Sequence, residues 1–314
     1  MDVLQVLISD IPHPVFIINK KNRQILAANE EASINGHNMV GEVFDDVVFV
    51  EEARRDVSYT FFNNQWFGLN QETFFWKDAP YIKIVLKRPE SVPSYDMLQT
   101  LKNLTEALLH QFRSPLTGVQ GYMDIMKKDL TDEPVKKLFG IWGRGITQLF
   151  DIMDELELFY NIPLNGHQYN IHPADITPVI QEVLDSYPPE TRNFIELRDL
   201  PDPSMKFRCN TACLKRILSI LIEDAIEHTS GKTPDITIDI PDNRSVTITR
   251  GGKPIPESVA SQLFYPFITS KANSLGIGLT KALLYANQFG GTILLTDNSP
   301  EGVSLTVRFP PLAD

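Results

Sequence analysis

The chain has 314 residues, too many for one typical hydrophobic core and enough for two or three. Its composition, 42% hydrophobic and 22% charged, is that of ordinary globular protein and excludes wholesale disorder. A net charge of -11 disfavours nucleic acid and anionic membrane as partners, and no apolar run approaches membrane-spanning length.

In chain order, residues 1–90 read as a small α+β unit. A short apolar helix (Val3, Leu4, Val6, Leu7) leads to the strand Val15–Asn19, the turn KKNR and a second strand, Gln24–Ala28. The opening stretch, MDVLQVLISDIPHPVF, has neither the basic segment nor the small-residue cleavage site of a secretory signal. Aromatic-rich strands are expected at Ser58–Phe67 and Glu72–Trp76, and another at Tyr81–Lys87. Phe61, Phe62, Trp66, Phe67, Phe74, Phe75 and Trp76 suit a small core plus a dimer face better than a ligand cavity. The Pro/Ser-rich interval Pro89–Tyr95 reads as a linker.

Residues 91–161 change to helical periodicity. Met97, Leu101, Leu104 and Leu108 repeat at 4-3-4 spacing, a coiled-coil-like seam. After a break at Asp129–Pro134, Val135, Leu138, Trp142, Gly145, Leu149, Ile152, Leu156 and Phe159 alternate 3-4. One helical hairpin cannot bury two such seams, so two chains are expected to associate into a four-helix bundle.

Residues 162–314 read as an α/β layer, with helices at Asp175–Asp185, Thr211–His228 and Ile277–Phe289. Strands are expected at Ile195–Arg198, Asp235–Ile240, Ser245–Thr249, Gly291–Thr296 and Val303–Phe309. Cys209 and Cys213 stand four apart on what reads as one helix start, a poor geometry for a disulfide, so a reducing, cytoplasmic location is expected. His167, His172 and Asp175 are too few for a zinc site and read as structural.

Chemistry concentrates in HQFRSPLTGVQGY, His110–Tyr122. His110 lies two residues past Leu108, roughly 200° around the helix from the seam, where another domain can reach it. Pro115 removes a helical hydrogen bond and is expected to bend the helix nearby. A neutral imidazole nitrogen is nucleophilic near pH 7 and can accept a phosphoryl group, although a surface histidine on a helix is commonly an ordinary solvated residue.

The segment His110-Gln111-Phe112-Arg113-Ser114-Pro115-Leu116 resembles the phosphoacceptor box of sensor histidine kinases, His-Glu-hydrophobe-Arg-Thr/Asn-Pro-Leu. Ile11–Ala32 resembles a PAS sensor domain, and the last 150 or so residues resemble the family's ATP-binding domain. The resemblance therefore implies a multidomain α+β protein in the family's order. A PAS-like sensor (1–90) precedes a dimerisation and phosphotransfer hairpin (91–161) and an α/β sandwich of the histidine-kinase ATPase type (162–314). It implies His110 as phosphoacceptor, ATP and Mg2+ as cofactors where the nucleotide site is intact, and a homodimer partnered by a response-regulator receiver domain.

Several positions depart from the family's pattern. Gln111 replaces the acidic residue that would act as general base, and a carboxamide cannot take a proton at neutral pH. Gln111 and Ser114 can still orient a water for dephosphorylating a partner. In Leu214–Ser230 the metal-holding Asn corresponds to Asp224, which keeps an oxygen for Mg2+, and the phosphate-approaching Lys corresponds to Glu227. The adenine-reading Asp corresponds to Arg250, which has no acceptor; Gly252 matches, but the next Gly is Pro254. The match recovers at Phe264–Lys271, with Thr269 and Lys271, and at Ser274-Leu275-Gly276-Ile277-Gly278-Leu279, where Gly276 and Gly278 align with the phosphate loop. The resemblance leaves open an active autophosphorylating kinase, a pseudokinase working as phosphotransferase or phosphatase, and a non-catalytic scaffold that binds a receiver domain or a true kinase.

Overall fold

The computed structural model describes residues 3–34, 36–51, 58–63, 65–77, 79–129, 133–164, 171–198, 206–229, 235–242, 244–269 and 274–311. The N-terminal unit opens with α1 (Val3–Val6), β1 (Val15–Asn19), β2 (Ile25–Ala28), α2 (Phe44–Val47) and β3 (Phe49–Glu51). It continues with β4 (Ser58–Phe62), β5 (Gln65–Trp76) and β6 (Ala79–Lys87), and all six strands join one antiparallel sheet in the order β2-β1-β6-β5-β4-β3. Phe16, Phe44 and Phe62 meet edge to face at its centre, the geometry the ring quadrupole favours.

The strand expected at Ser58–Phe67 is broken. Phe62 pairs with Gln65 across a tight hairpin, and Asn63 adopts φ 47. Asparagine tolerates that left-handed backbone because its short polar side chain can bond locally. The same turn makes β5 one long strand that runs from Gln65 through Trp76.

The hairpin consists of α3 (Tyr95–Asp129), which runs unbroken through Pro115, and α4 (Glu133–Asn161). Ser94 Oγ caps the first helix by accepting from Met97 N at 3.3 Å. Of the seam expected at Met97, Leu101, Leu104 and Leu108, Leu101 is half-buried and the other three are exposed within the protomer; the buried positions lie one residue on, at Leu98, Lys102, Thr105 and Leu109. The apolar stripe is wider than one a/d seam, so its inner edge faces α4 and its outer edge has nothing to cover it within the protomer. No described helix is long and apolar enough to cross a membrane.

The C-terminal unit comprises β7 (His172–Ala174), α5 (Thr177–Asp185), α6 (Pro189–Arg192), β8 (Ile195–Leu197), β9 (Phe207–Cys209) and α7 (Thr211–Glu227). There follow β10 (Ile236–Asp242), β11 (Ser245–Arg250), α8 (Glu257–Ala260), α9 (Gly278–Asn287), β12 (Thr292–Ser299) and β13 (Gly302–Arg308). Five strands form a sheet in the order β12-β13-β11-β10-β8, with β8 parallel to β10, and β7 pairs with β9 apart from it. In β10 alternate residues Ile236, Ile238 and Ile240 point inward and meet Leu214, Leu218, Leu221 of α7 and Leu283, Ala286 of α9 in one core. Cys209 lies on β9, not on the helix start, which belongs to Asn210 as cap of α7. Both cysteines are free thiols, and burial pushes Cys209 up to about 12.

The units touch at several places among the described residues. Arg244 stacks 4.3 Å from the Phe49 ring centroid, and Arg308 lies 5.3 Å from Tyr59 and 5.9 Å from Trp66, joining the N-terminal sheet edge to the C-terminal unit. The ends of the hairpin, Leu98, Phe159 and Ile162, share a second core with Ile277 and Leu284.

Candidate functional site

The phosphoacceptor-like segment sits midway along α3 with His110, Gln111 and Ser114 all exposed to solvent. The helix holds them on the surface, and Arg113 ties the segment to α4. Its Nη2 lies 2.5 Å from Glu157 Oε2 and 3.6 Å from Asp154 Oδ1. These pairs are exposed and contribute roughly 0–1 kcal/mol, so they orient the two helices more than they stabilise them.

The second candidate region is a cavity of about 520 Å3 between α7, α9, the loop after β11 and the C-terminal end of α4. Asp224, Thr269, Gly276 and Gly278 line it together with Glu223, Glu227, Arg250 and Lys281. Gly252 is not among the lining residues; it turns the preceding loop at φ 95. Lys271 falls outside the described residues. Among those described, none from α3 lines the cavity, so the structure gathers the nucleotide-type positions but leaves His110 apart from them.

Gly276 earns its place by backbone geometry. At φ +65 with a hypothetical Cβ 2.6 Å from Ile268 O, no other residue fits without moving the chain. Its carbonyl accepts from Phe267 N at 3.0 Å, and Phe267 is itself held at φ 68. A bulky residue in that region costs of order 1–3 kcal/mol and persists where its surroundings over-determine it. By contrast, a Cβ at Gly278 would meet only Ile220 Cγ2 at 3.8 Å, ordinary contact.

Arg250 ends β11 and is buried. Its Nη1 donates to Gly251 O at 3.1 Å and Lys253 O at 3.4 Å. Burial lowers its pKa from the usual arginine value, and Asp224 and Asp235 oppose that shift. Asp224 and Asp235 are the carboxylates that act on Arg250. Asp224 also faces His228, with Oδ1 and Nε2 4.0 Å apart. Among the described residues no group of three or more His, Cys, Asp or Glu side chains is arranged to hold a metal by itself.

Three residues of the region carried no signal in the sequence. Asn298 accepts from Ile255 N at 2.7 Å and donates to Ile255 O at 2.9 Å, clamping the Pro254–Pro256 loop. Glu155 enters the cavity from α4, and Lys281 Nζ lies 3.4 Å from its Oε1. That pair joins positions 126 residues apart, which no local pattern could report.

Residues 210–313 match the family described as histidine kinase-, DNA gyrase B-, and HSP90-like ATPase. Sporulation kinase D of Bacillus subtilis (strain 168) is 24% identical over 221 residues, which cover 68% of this chain. That span is longer than the ATPase match and so takes in residues before 210. Residues 210–313 thus carry an ATPase-type unit of that family, and the longer span is similar to sensor histidine kinases. Sporulation kinase A of the same organism is 25% identical over 248 residues, covering 76% of this chain. The matched stretch is under half of either relative, 42% and 40% of their lengths. Among solved structures, full-length ShkA in complex with AMPPNP aligns with 66% of this chain and 45% of its own, at TM-score 0.49 and 17% identity.

Proposed function

We propose that this chain is a member of the sensor histidine kinase family, a dimeric, PAS-like-sensor-bearing signalling protein in which His110 exchanges a phosphoryl group with the aspartate of a response-regulator receiver domain. The observation that carries the reading is His110 exposed on α3 within a family-type box that Arg113 fastens to α4, in one chain with the ATPase-type unit. An antiparallel six-stranded sheet in the N-terminal unit supports the sensor assignment, and domain limits near 1–90, 91–161 and 162–314 are part of the same proposal. In the exchange, an imidazole nitrogen forms an N–P bond as the aspartyl P–O bond breaks, and the carboxylate leaves with the electron pair. The reverse step returns the group to the receiver. Gln111 and Ser114 stand within the same segment, where a carboxamide and a hydroxyl can orient a water for dephosphorylation.

The cavity fits ATP and Mg2+ at one end only. Asp224 offers an oxygen to a hard cation, and the Gly276 turn suits a phosphate cradle. At the other end Arg250 offers donors where the adenine amino group needs an acceptor, and those donors face the chain's own carbonyls. We therefore read autophosphorylation from ATP as weakened or lost, and derive no step through the nucleotide.

The test is radiolabel transfer to the purified chain, from a labelled receiver domain and separately from labelled ATP with Mg2+. Acid-labile label from the receiver, absent in His110→Gln, is expected, with label from ATP at least about tenfold slower. Efficient label from ATP would overturn the altered-pocket half of the reading. No label from either donor would overturn phosphotransfer and leave a scaffold.

A further inference from the structure

We infer that Lys281 is, among the described residues, the phosphate-contacting cation of this cavity and that Glu155, reaching in from the hairpin, is its built-in competitor. The inference rests on reading the cavity as a nucleotide-derived site and assigns its phosphate end.

The charge inventory leads there. Glu223, Asp224 and Glu227 make the α7 wall acidic, and Glu227 stands where the family resemblance places a lysine. Arg250 is spent on two carbonyls and the neighbouring Asp224 and Asp235, His228 faces Asp224 at 4.0 Å, and Lys253 is exposed on the loop after β11. Lys281 lies in the first turn of α9, three residues past Gly278, with a side chain only 16% exposed. An ammonium so placed, beside the Gly276 turn, supplies the charge lost at Glu227 from the opposite wall.

In the structure its partner is Glu155 Oε1 at 3.4 Å. A polyphosphate bears several negative charges and presents oxygens that accept charge-assisted hydrogen bonds, so it competes directly with that single carboxylate. The acidic α7 wall makes a divalent cation part of the ligand. Glu155 sits on α4 between Asp154 and Glu157, the two residues that hold Arg113 of the phosphoacceptor segment.

The test is calorimetric titration of the full chain with Mg2+–tripolyphosphate and, in parallel, Mg2+–ATP. Glu155→Gln should tighten tripolyphosphate binding about tenfold and Lys281→Gln should weaken it about tenfold. Lys281→Arg should restore it, and the double variant E155Q/K281Q should match Lys281→Gln alone. Thermal melts that superimpose on the parent show that each variant is folded. An E155Q effect that survives loss of Lys281, no tightening by E155Q, or no tripolyphosphate binding by any variant would overturn the inference. The ratio of ATP to tripolyphosphate affinity reports the adenine end separately. A ratio well above ten would overturn the altered-pocket reading and leave the Lys281 result standing.

Discussion

The C-terminal sandwich and the α3–α4 hairpin use similar apolar residues to opposite effect. In the sandwich Phe207, Phe289 and Phe309 are fully enclosed, with Phe309 edge-on to Phe207 at 5.1 Å and stacked on Phe289 at 5.6 Å. On the hairpin Trp142 is 59% exposed, and Leu104, Leu108, Phe112, Leu138 and Ile141 share its fate. A sheet covered by three helices closes its own core, whereas two long helices offer each other only one stripe apiece. Stability of the first should therefore be a property of the chain, and stability of the second a property of protein concentration.

The largest effect separating them is expected from Phe309→Ala. Deleting an enclosed aromatic leaves a cavity and costs about 3–5 kcal/mol of unfolding free energy, read as a lower urea midpoint. Self-association measured below that midpoint should be unchanged. A cost near zero would mean the sandwich core is not closed as described.

The converse variant is Trp142→Glu. If the exposed stripe is the face that receives a second copy, a carboxylate at its centre should weaken self-association about hundredfold, about 2.7 kcal/mol. Sedimentation at micromolar concentration should then show monomer, with the melting of the sandwich unaltered. An unchanged oligomer would place the dimer contact elsewhere and leave the stripe unexplained.

The same contrast decides what the sequence could tell. Where a segment is apolar enough and its neighbours are local, the reading is close: Val15–Asn19 is a strand to the residue, and α7 ends one residue short of its expected limit. On the hairpin a wide stripe contains two overlapping 4-3 repeats: Leu98, Lys102, Thr105 and Leu109 are buried within the protomer, and the expected seam positions Leu104 and Leu108 stay open to a second chain. The turn at Asn63 hid inside an aromatic run whose β propensity spoke louder than a single asparagine. In the candidate site, Arg250 and Glu227 were legible because they interrupt known motif positions. Glu155 and Lys281 were not, since their meeting depends on how the end of α4 docks against α9.

That docking surface supplies the smallest of the expected effects. Lys102 is only 4% exposed, donates to Ile162 O and lies 5.9 Å from the Phe159 ring centroid. Burial lowers its pKa from 10.5 to about 8. Between those values the unfolded chain binds the extra proton, so the Lys102 contribution to stability rises with pH from about 8 upward. Over pH 8 to about 9.5 the gain is about 2 kcal/mol. Cys209 works in the opposite sense. Its folded thiol is pushed up to about 12 from 9.0, so above pH 9 the unfolded chain loses that proton first and stability falls. Tyr160, raised by its hydrogen bond with Glu106, shifts in the same direction. Neither is altered by Lys102→Met, so the difference between the parent and variant curves isolates the lysine. That difference should climb with pH in favour of the parent across this window, on top of a constant offset from the lost bond to Ile162. A flat difference would mean that Lys102 keeps its charge hydrated, and that the ends of the hairpin do not seal against α9 in solution.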